Sequence, residues 1–294
     1  MNEHEWLAER FEGNRTHLRA VAYRMLGSLS EADDAVQEVW LRLSRADTSA
    51  VENLKGWLMT VVARVCLDVL RSRKARPEEP LGARVPESIA SREDGIDPEH
   101  EALLADSVGL ALLVVLERLA PAERLAFVLH DMFDMPFDDI ASIVGRSPTA
   151  ARQLASRARR HVQGADTVSR ADLSRQREVV DAFLAALRGG DFDALVAVLD
   201  PDVVVRVDAA AGAPGAPREI RGARNWAKGA IAFAQAARFT RPALVNGSVG
   251  VVMAPRGRLF RALSFTITRG KIVQIDVIAD PERLRQLDLA ALND

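Results

Sequence analysis

FDDIASIVGRSPTAARQL, residues 137 to 154, is the stretch that decides the architecture of the first half of this chain. Its apolar residues recur at helical spacing up to Val144, and Gly145 follows where a turn needs a positive φ. Ser147 then suits an N-cap, and Pro148 suits the first position of a second helix. The stretch therefore predicts a helix-turn-helix.

The second helix of this motif is predicted to carry a polar and cationic face. Between Arg146 and His161 the chain has five arginines and no acidic residue. This composition and spacing suit a recognition helix that meets base edges and phosphates in a major groove. A solvated basic face is the alternative interpretation. The candidate contacts are Thr149, Arg152, Gln153, Ser156, Arg157 and Arg159.

Composition bounds the class of protein. A length of 294 residues indicates two or three domains, and 48% apolar with 27% charged residues is typical of a soluble globular chain. A net charge of −2 excludes a uniformly basic surface, so any nucleic-acid contact must be local. The single cysteine, Cys66, excludes an internal disulfide and a cysteine-rich zinc module. Since the chain lacks a long apolar run and begins with acidic residues, we expect no membrane partner and a cytoplasmic location.

The remaining periodicity divides the chain into a helical front and a mixed tail. Three helices are expected over residues 14–76, the second opening with a capping box from Ser30 to Asp33. A proline-rich, charged linker follows, and helices resume near Pro98. From about residue 167 two helices precede strand patterns, which include a hairpin with a two-residue turn at Arg269 and Gly270. The tail is therefore expected to be an α+β module.

Three further stretches, in order, carry a resemblance to a known family. They are GSLSEADDAVQEVWLR at 27–42, GWLMTVVARVCLDVLRS at 56–72 and RLAPAERLAFVLH at 118–130, the last followed by the helix-turn-helix. Together they resemble bacterial RNA polymerase sigma factors of the extracytoplasmic-function group. The resemblance implies an all-α sigma region 2 over 1–76, a linker over 77–105 and an all-α region 4 over 106–166. It also implies a non-enzymatic protein that binds core RNA polymerase and directs promoter-specific transcription initiation.

The resemblance assigns roles to particular residues. The acidic second helix is similar to the surface that docks on the clamp helices of polymerase. The residues of this surface are Asp33, Asp34, Gln37, Glu38, Trp40 and Arg42. Region 4 would meet the flap of polymerase. The third helix resembles the reader of the −10 element, with Trp57, Arg64, Arg71, Arg73 and Lys74 as DNA contacts. The helix-turn-helix would read the −35 element. One monomeric copy would thus read two unlike elements.

Residues 167–294 resemble a SnoaL-like domain of the nuclear transport factor 2-like cone fold, which one subgroup of these sigma factors carries. All five histidines precede this tail, so we expect no acid–base couple, no cofactor and no metal in it. The resemblance implies a regulatory tail that modulates activity, with a small ligand as a further expectation. Its contact or pocket candidates are Arg206, Asp208, Trp226, Asp276, Asp280 and Pro281. A stand-alone helix-turn-helix regulator with a ligand-sensing tail is the alternative function.

Overall fold

A computed structural model describes residues 3–46, 51, 53–75, 109–163, 169–211, 218–234, 236–254 and 259–292. The chain divides into two units. The first comprises residues 1–79 with 116–160, and the second comprises 80–115 with 161–294. Most of the predicted linker, and the helix start expected near Pro98, lie outside the described residues. Of the helices described, none is both long enough and apolar enough to cross a membrane.

The front of the chain is helical, as predicted. Its elements are α1 (Glu3–Leu26), α2 (Leu29–Leu43), α3 (Leu54–Ala75), α4 (Leu110–Arg118), α5 (Pro121–Phe127), a π-helical turn (Val128–Met132), α6 (Phe137–Val144) and α7 (Pro148–Gln163). The first three helices pack against one another, and their apolar stripes form a core that buries Val21, Met25, Val39, Leu58 and Val62. Each such side chain contributes about 1.5–3 kcal/mol by leaving water.

The helix-turn-helix forms as the sequence predicts. Gly145 follows α6 with φ 70° and ψ 40°, the left-handed conformation that glycine adopts without a Cβ penalty. The Ser147 hydroxyl accepts a hydrogen bond from the backbone N–H of Ala150 at 3.2 Å, so Ser147 caps α7. Pro148 is the first residue of that helix.

The start of α2 differs from the predicted capping box. The helix begins at Leu29, with Ser28 in an extended conformation before it and no capping bond from its side chain. Gly27 ends α1 at φ 77°, so the chain re-enters a helix two residues earlier than expected. Ser30 therefore lies inside the helix, and the Asp33 carboxylate binds Arg19 of α1 instead of a backbone N–H. The capping-box prediction was wrong.

The second unit contains the predicted α+β tail. Its helices are α8 (Arg170–Gly189), α9 (Phe192–Val198), α10 (Ala223–Ala230) and α11 (Pro281–Gln286). Its strands are β1 (Leu199–Val207), β2 (Glu219–Arg221), β3 (Thr240–Val245), β4 (Ser248–Met253), β5 (Arg261–Thr268), β6 (Lys271–Ile278) and β7 (Leu289–Ala290). They form one sheet in the order β2-β1-β6-β5-β4-β3-β7, in which β1 and β6 are parallel and the other pairs antiparallel.

One face of this sheet holds the core of the tail. Phe183 of α8 stacks on Trp226 of α10 at 5.7 Å between ring centroids and meets Phe265 of β5 edge-on at 5.1 Å. The predicted hairpin turn is confirmed, because Arg269 and Gly270 have φ values of 51° and 73° between β5 and β6. Two successive positive φ angles are the mark of the type I′ turn that matches strand twist.

Candidate nucleic-acid and partner interfaces

The recognition helix α7 presents five of the six predicted contact residues on one exposed face. Three alanines and one leucine point inward and are at most 6% exposed, namely Ala151, Leu154, Ala155 and Ala158. The predicted contacts that are exposed are Thr149, Arg152, Gln153, Ser156 and Arg157. Since these five recur three and four residues apart, a single groove could contact all of them.

Two contacts orient this face. The Phe137 ring, at the start of α6, lies 3.8 Å from the ring of His130 and 5.5 Å from the guanidinium carbon of Arg152. His130 in turn hydrogen-bonds the carbonyl of Met135 through Nδ1 at 3.0 Å. The guanidinium of Arg152 is therefore held over an aromatic ring while its helix face stays open to solvent.

Arg159 lies apart from the exposed face. It is half-buried, and its guanidinium forms an ion pair with the carboxylate of Asp131 in the π-helical turn. The structure thus uses this arginine to tie the recognition helix to the preceding turn. Sequence reasoning had placed it among the DNA contacts and had missed Asp131.

The predicted cations of α3 separate into two groups. Arg64, Arg71 and Lys74 are exposed, and Arg71 lies 3.9 Å from the carboxylate of Asp68. Trp57 is half-buried near the start of the helix. Arg73 instead turns inward.

Arg73 is engaged within the first unit. Its guanidinium donates to the carbonyl of Leu26 at 3.1 Å and forms an ion pair with Glu31. Arg73 therefore supplies a hydrogen-bond donor to a backbone carbonyl in the last turn of α1. A cation at the C-terminal end of a helix also interacts favourably with the helix dipole.

Most of the predicted polymerase-docking residues of α2 are open to solvent. Asp33, Asp34, Gln37 and Arg42 are exposed, whereas Glu38 and Trp40 are half-buried. The Asp33 carboxylate is already held by both nitrogens of Arg19 that face it, at 2.6 and 2.9 Å.

An apolar residue that sequence reasoning missed lies on the same face. Leu41 is 38% exposed and follows Gln37 and Asp34 at helical spacing. The signal that could have found it is a leucine at the i+4 position of a polar stripe. Asp34, Gln37 and Leu41 are hereafter called the α2 docking face.

A second missed residue is Arg124, which is only 2% exposed within α5. Its Nε and Nη2 atoms donate to the backbone carbonyl of Arg24, in the last turn of α1, at 3.2 and 3.0 Å. Burial lowers the pKa of Arg124 to about 10, and Glu117 partly offsets that shift. An arginine among apolar residues of α5 was the available signal.

The aromatic ring of Phe133 adds to this contact between α1 and the helix-turn-helix region. It meets the ring of His17 edge-on at 5.2 Å, and the guanidinium carbon of Arg24 lies 5.2 Å from its centroid. Burial lowers the pKa of His17, and the nearby cations Lys55 and Arg24 lower it further. Helix α1 therefore packs against the segment that follows the π-helical turn and precedes α6.

In the tail, the structure brings Asp208 and Asp280 together. The Asp208 carboxylate accepts hydrogen bonds from the backbone N–H groups of Ala279 and Asp280 at 3.1 and 3.2 Å and pairs with Arg283. Asp280 caps α11, whose first residue is Pro281. Asp208 thus anchors the start of α11 to the end of β1.

The other tail candidates do not join this cluster. Arg206 and Asp276 are register partners on β1 and β6, on the sheet face opposite the core. Arg206 lies 3.8 Å from Glu219. Trp226 belongs to the core on the other face. These residues therefore line no common pocket.

Comparison with known proteins defines the class. The profile of sigma-70 region 2 matches residues 10–76, and that of sigma-70, region 4 matches residues 109–162. The chain thus has the two helical regions of a sigma-70 type transcription factor, and the predicted fold class, helical regions followed by an α+β domain, is confirmed.

The relatives refine this class. The ECF RNA polymerase sigma factor SigJ of Mycobacterium tuberculosis is 38% identical over 288 residues, which cover 93% of this chain and 91% of SigJ. The "Probable ECF RNA polymerase sigma factor SigI" of the same species is 35% identical over 98% of both chains. The crystal structure of SigJ matches at 37% identity and a TM-score of 0.47, covering 94% of this chain and 98% of that one. The chain belongs to the ECF RNA polymerase sigma factors, which direct transcription initiation with core RNA polymerase.

Proposed function

We propose that region 4 of this sigma factor reads the −35 element through the exposed face of α7. The observation that carries the proposal is the grouping of Thr149, Arg152, Gln153, Ser156 and Arg157 on one solvent-facing stripe. Arginine recognises guanine bidentately and glutamine recognises adenine, so Arg152 and Gln153 are the base readers of this set. Arg157 is assigned to a phosphate.

Region 2 is assigned the −10 element and the main contact with polymerase. On α3, Arg64, Arg71 and Lys74 supply exposed cations for the DNA backbone, and Trp57 lies near the start of the same helix. On α2, the docking face of Asp34, Gln37 and Leu41 presents acidic, amide and apolar groups to the clamp helices. A charged rim around an apolar centre is the usual anatomy of a protein interface.

The packing inside the first unit is assigned to a closed state. The two promoter elements lie roughly 25 base pairs apart, which is about 85 Å along B-DNA at 3.4 Å per base pair. We infer that regions 2 and 4 separate in order to read both elements, which would break the bonds of Arg124 to the carbonyl of Arg24.

The tail is assigned a modulating role. Its support is one hydrogen bond inside the second unit, where the backbone N–H of Ala291 donates to the carbonyl of Val162 at 2.9 Å. Val162 lies in the last turn of α7, in the part of this helix that belongs to the second unit, so the tail is bonded to the end of α7 within that unit. We also propose that the free chain is a monomer, because one copy is expected to read two unlike elements.

Run-off transcription on a genomic fragment library tests these assignments. Purified core polymerase is supplied with the wild-type chain, with Arg152→Ala or with Arg175→Ala, an exposed arginine of α8 that serves as the charge control. We expect Arg152→Ala to relax base preference within the −35 element only, and Arg175→Ala to reproduce the wild-type start sites. Unchanged preference in Arg152→Ala would remove the assignment of α7.

A further inference from the structure

Arg261, the first residue of β5, is a buried cation with an incomplete set of partners. Only 8% of the surface of Arg261 is exposed to solvent. Nη2 donates to the carbonyl of Ala211 at 3.1 Å, while Nε is buried without a hydrogen-bond partner. Throughout the described ranges, no carboxylate forms an ion pair with this guanidinium. A buried charge in that condition costs several kcal/mol unless something else neutralises it.

A comparison with Arg124 shows that burial alone does not explain this state. The Arg124 guanidinium has two hydrogen bonds to one carbonyl, and Glu117 and Glu31 act to raise its pKa. For Arg261, burial lowers the pKa, and no acidic group among the described residues offsets the shift. Within the part of the chain that the structure describes, Arg261 therefore has no nearby anion of the kind that Arg124 has.

Two aromatic rings flank the guanidinium. Its central carbon lies 5.6 Å from the centroid of Phe260 and 5.9 Å from that of Phe233. Phe233 is itself 48% exposed, which is unusual for a ring beside a buried charge. The guanidinium therefore lies beside two aromatic rings, of which Phe233 is exposed at the protein surface.

The sheet next to Arg261 is apolar, with Leu263 buried at 8% exposure and its neighbours Val277 and Val207 only partly buried. Leu263 follows two residues along β5 and so shares its face. Leu263 pairs in register with Val277, and Val277 pairs with Val207, so the three form one row across β5, β6 and β1. Val207 and Val277 are partly buried hydrophobic residues at the margin of the core. An apolar ligand body would have a surface to cover here.

We propose that Arg261 binds the carboxylate of a small organic acid with an apolar body, which packs against Phe233 and the row of Leu263, Val277 and Val207. A guanidinium edge is suited to bidentate pairing with a carboxylate, and the aromatic walls suit the apolar part. This site lies in the tail and does not depend on the roles proposed for regions 2 and 4.

Titration calorimetry on the full chain tests the proposal with two acids, phenylacetate and hexanoate, and with their neutral amides. We expect at least one acid to bind and its amide to bind at least about tenfold more weakly, because the charge-assisted pair is lost. Arg261→Met is expected to abolish binding of the acid, and Arg206→Met, an exposed arginine on the opposite sheet face, to preserve it.

The ligand-free melting temperatures separate a binding role from a structural one. If the guanidinium is kept for a ligand, Arg261→Met melts at or above the wild-type temperature, since an unpaired buried charge has been removed. A marked loss of stability in Arg261→Met would assign the arginine to folding and overturn the proposal. So would failure of both acids to bind at millimolar concentration, or equal binding of acid and amide.

Discussion

The guanidinium of Arg124 is bonded through two nitrogens to the backbone carbonyl of Arg24, at 3.2 and 3.0 Å. This pair joins α5 of region 4 to the last turn of α1 in region 2. Carbonyls at the end of a helix have no intrahelical partner and carry the negative end of the helix dipole, so a buried cation suits them. The relationship couples the two DNA-reading regions inside one packed unit.

Breaking this pair is expected to open the first unit. Hydrogen bonds from a charged group are worth about 1.5–3 kcal/mol, so Arg124→Met should shift the closed-to-open ratio by at least about tenfold. Energy transfer between dyes on Glu9→Cys and Asp138→Cys, two exposed positions, measures the separation. We expect lower transfer in Arg124→Met than in the unsubstituted labelled chain.

The native cysteine should not interfere with this labelling. Cys66 is fully buried, and burial raises the pKa of its thiol to about 12. Because only the thiolate reacts, maleimide and disulfide reagents should spare Cys66 at pH 7.5 in the folded chain and modify it in urea.

If Arg124→Met folds normally and leaves the energy transfer between the two dyes unchanged, the bonds between Arg124 and the carbonyl of Arg24 do not hold regions 2 and 4 together.

The closed packing is also expected to weaken in acid. Burial, with help from Lys55 and Arg24, lowers the pKa of His17 below 6.5 where its ring meets Phe133. A lowered pKa means that the neutral form is favoured in the packed state, so its contribution is present above about pH 6.5 and is lost as pH falls through the lowered pKa. Energy transfer in the labelled chain should therefore drop as the pH is lowered from 7.5 to values below 6.5. The same titration in His17→Phe should be flatter, and an identical pH profile in both proteins would exclude this histidine as the cause.

Substitutions of the two exposed arginines Arg152 and Arg157 of α7 should affect promoter binding in different ways. Arg152→Ala is expected to cost about 1–3 kcal/mol at one −35 base pair and to lose discrimination there. Arg157→Ala should instead weaken binding to all promoters and reduce the slope of log K against log salt by about 0.9. Promoter binding of the sigma–polymerase complex, measured between 50 and 200 mM salt on wild-type and substituted −35 elements, distinguishes them. Equal effects on every sequence from both variants would contradict the assignment of Arg152 to a base.

The α2 docking face offers a test of polymerase binding. Asp34→Lys reverses an exposed charge without touching the Arg19–Asp33 pair and is expected to weaken binding to core polymerase by at least about tenfold. Glu178→Lys makes the same change on an exposed residue of α8 and should bind as the wild type does. Fluorescence titration of labelled chains with core polymerase measures both, and equal affinities would remove the docking face from the interface.

Much of the architecture could be predicted from local chemistry. The left-handed Gly145, the cap at Ser147 and the turn at Arg269 and Gly270 each follow from a conformation that few residues adopt. The helical front and the exposed face of α7 follow from apolar periodicity. The three residues of β2, Glu-Ile-Arg, are too few to show a period, whereas α10 was missed although Ala223, Trp226, Ala227 and Ala230 recur at helical spacing, because small alanines give a weak apolar signal.

The roles of single arginines could not be predicted, because they depend on distant partners. Arg73 and Arg159 belong to basic runs but pair with Glu31 and Asp131. Arg124 lies 100 residues from the carbonyl that it binds. Spacing along the chain identifies a basic face, whereas only tertiary packing decides which of its cations remain available for DNA.

Footprinting of one promoter, with and without core polymerase, shows whether one copy of the chain reads two promoter elements only within the complex. We predict that the chain alone gives little protection, and that the complex protects two unlike elements, at −35 and −10, with one copy of the chain per polymerase. Arg152→Ala should then lose only the upstream protection. Protection of a two-fold symmetric site by a dimer without polymerase would contradict the account and would favour a stand-alone regulator.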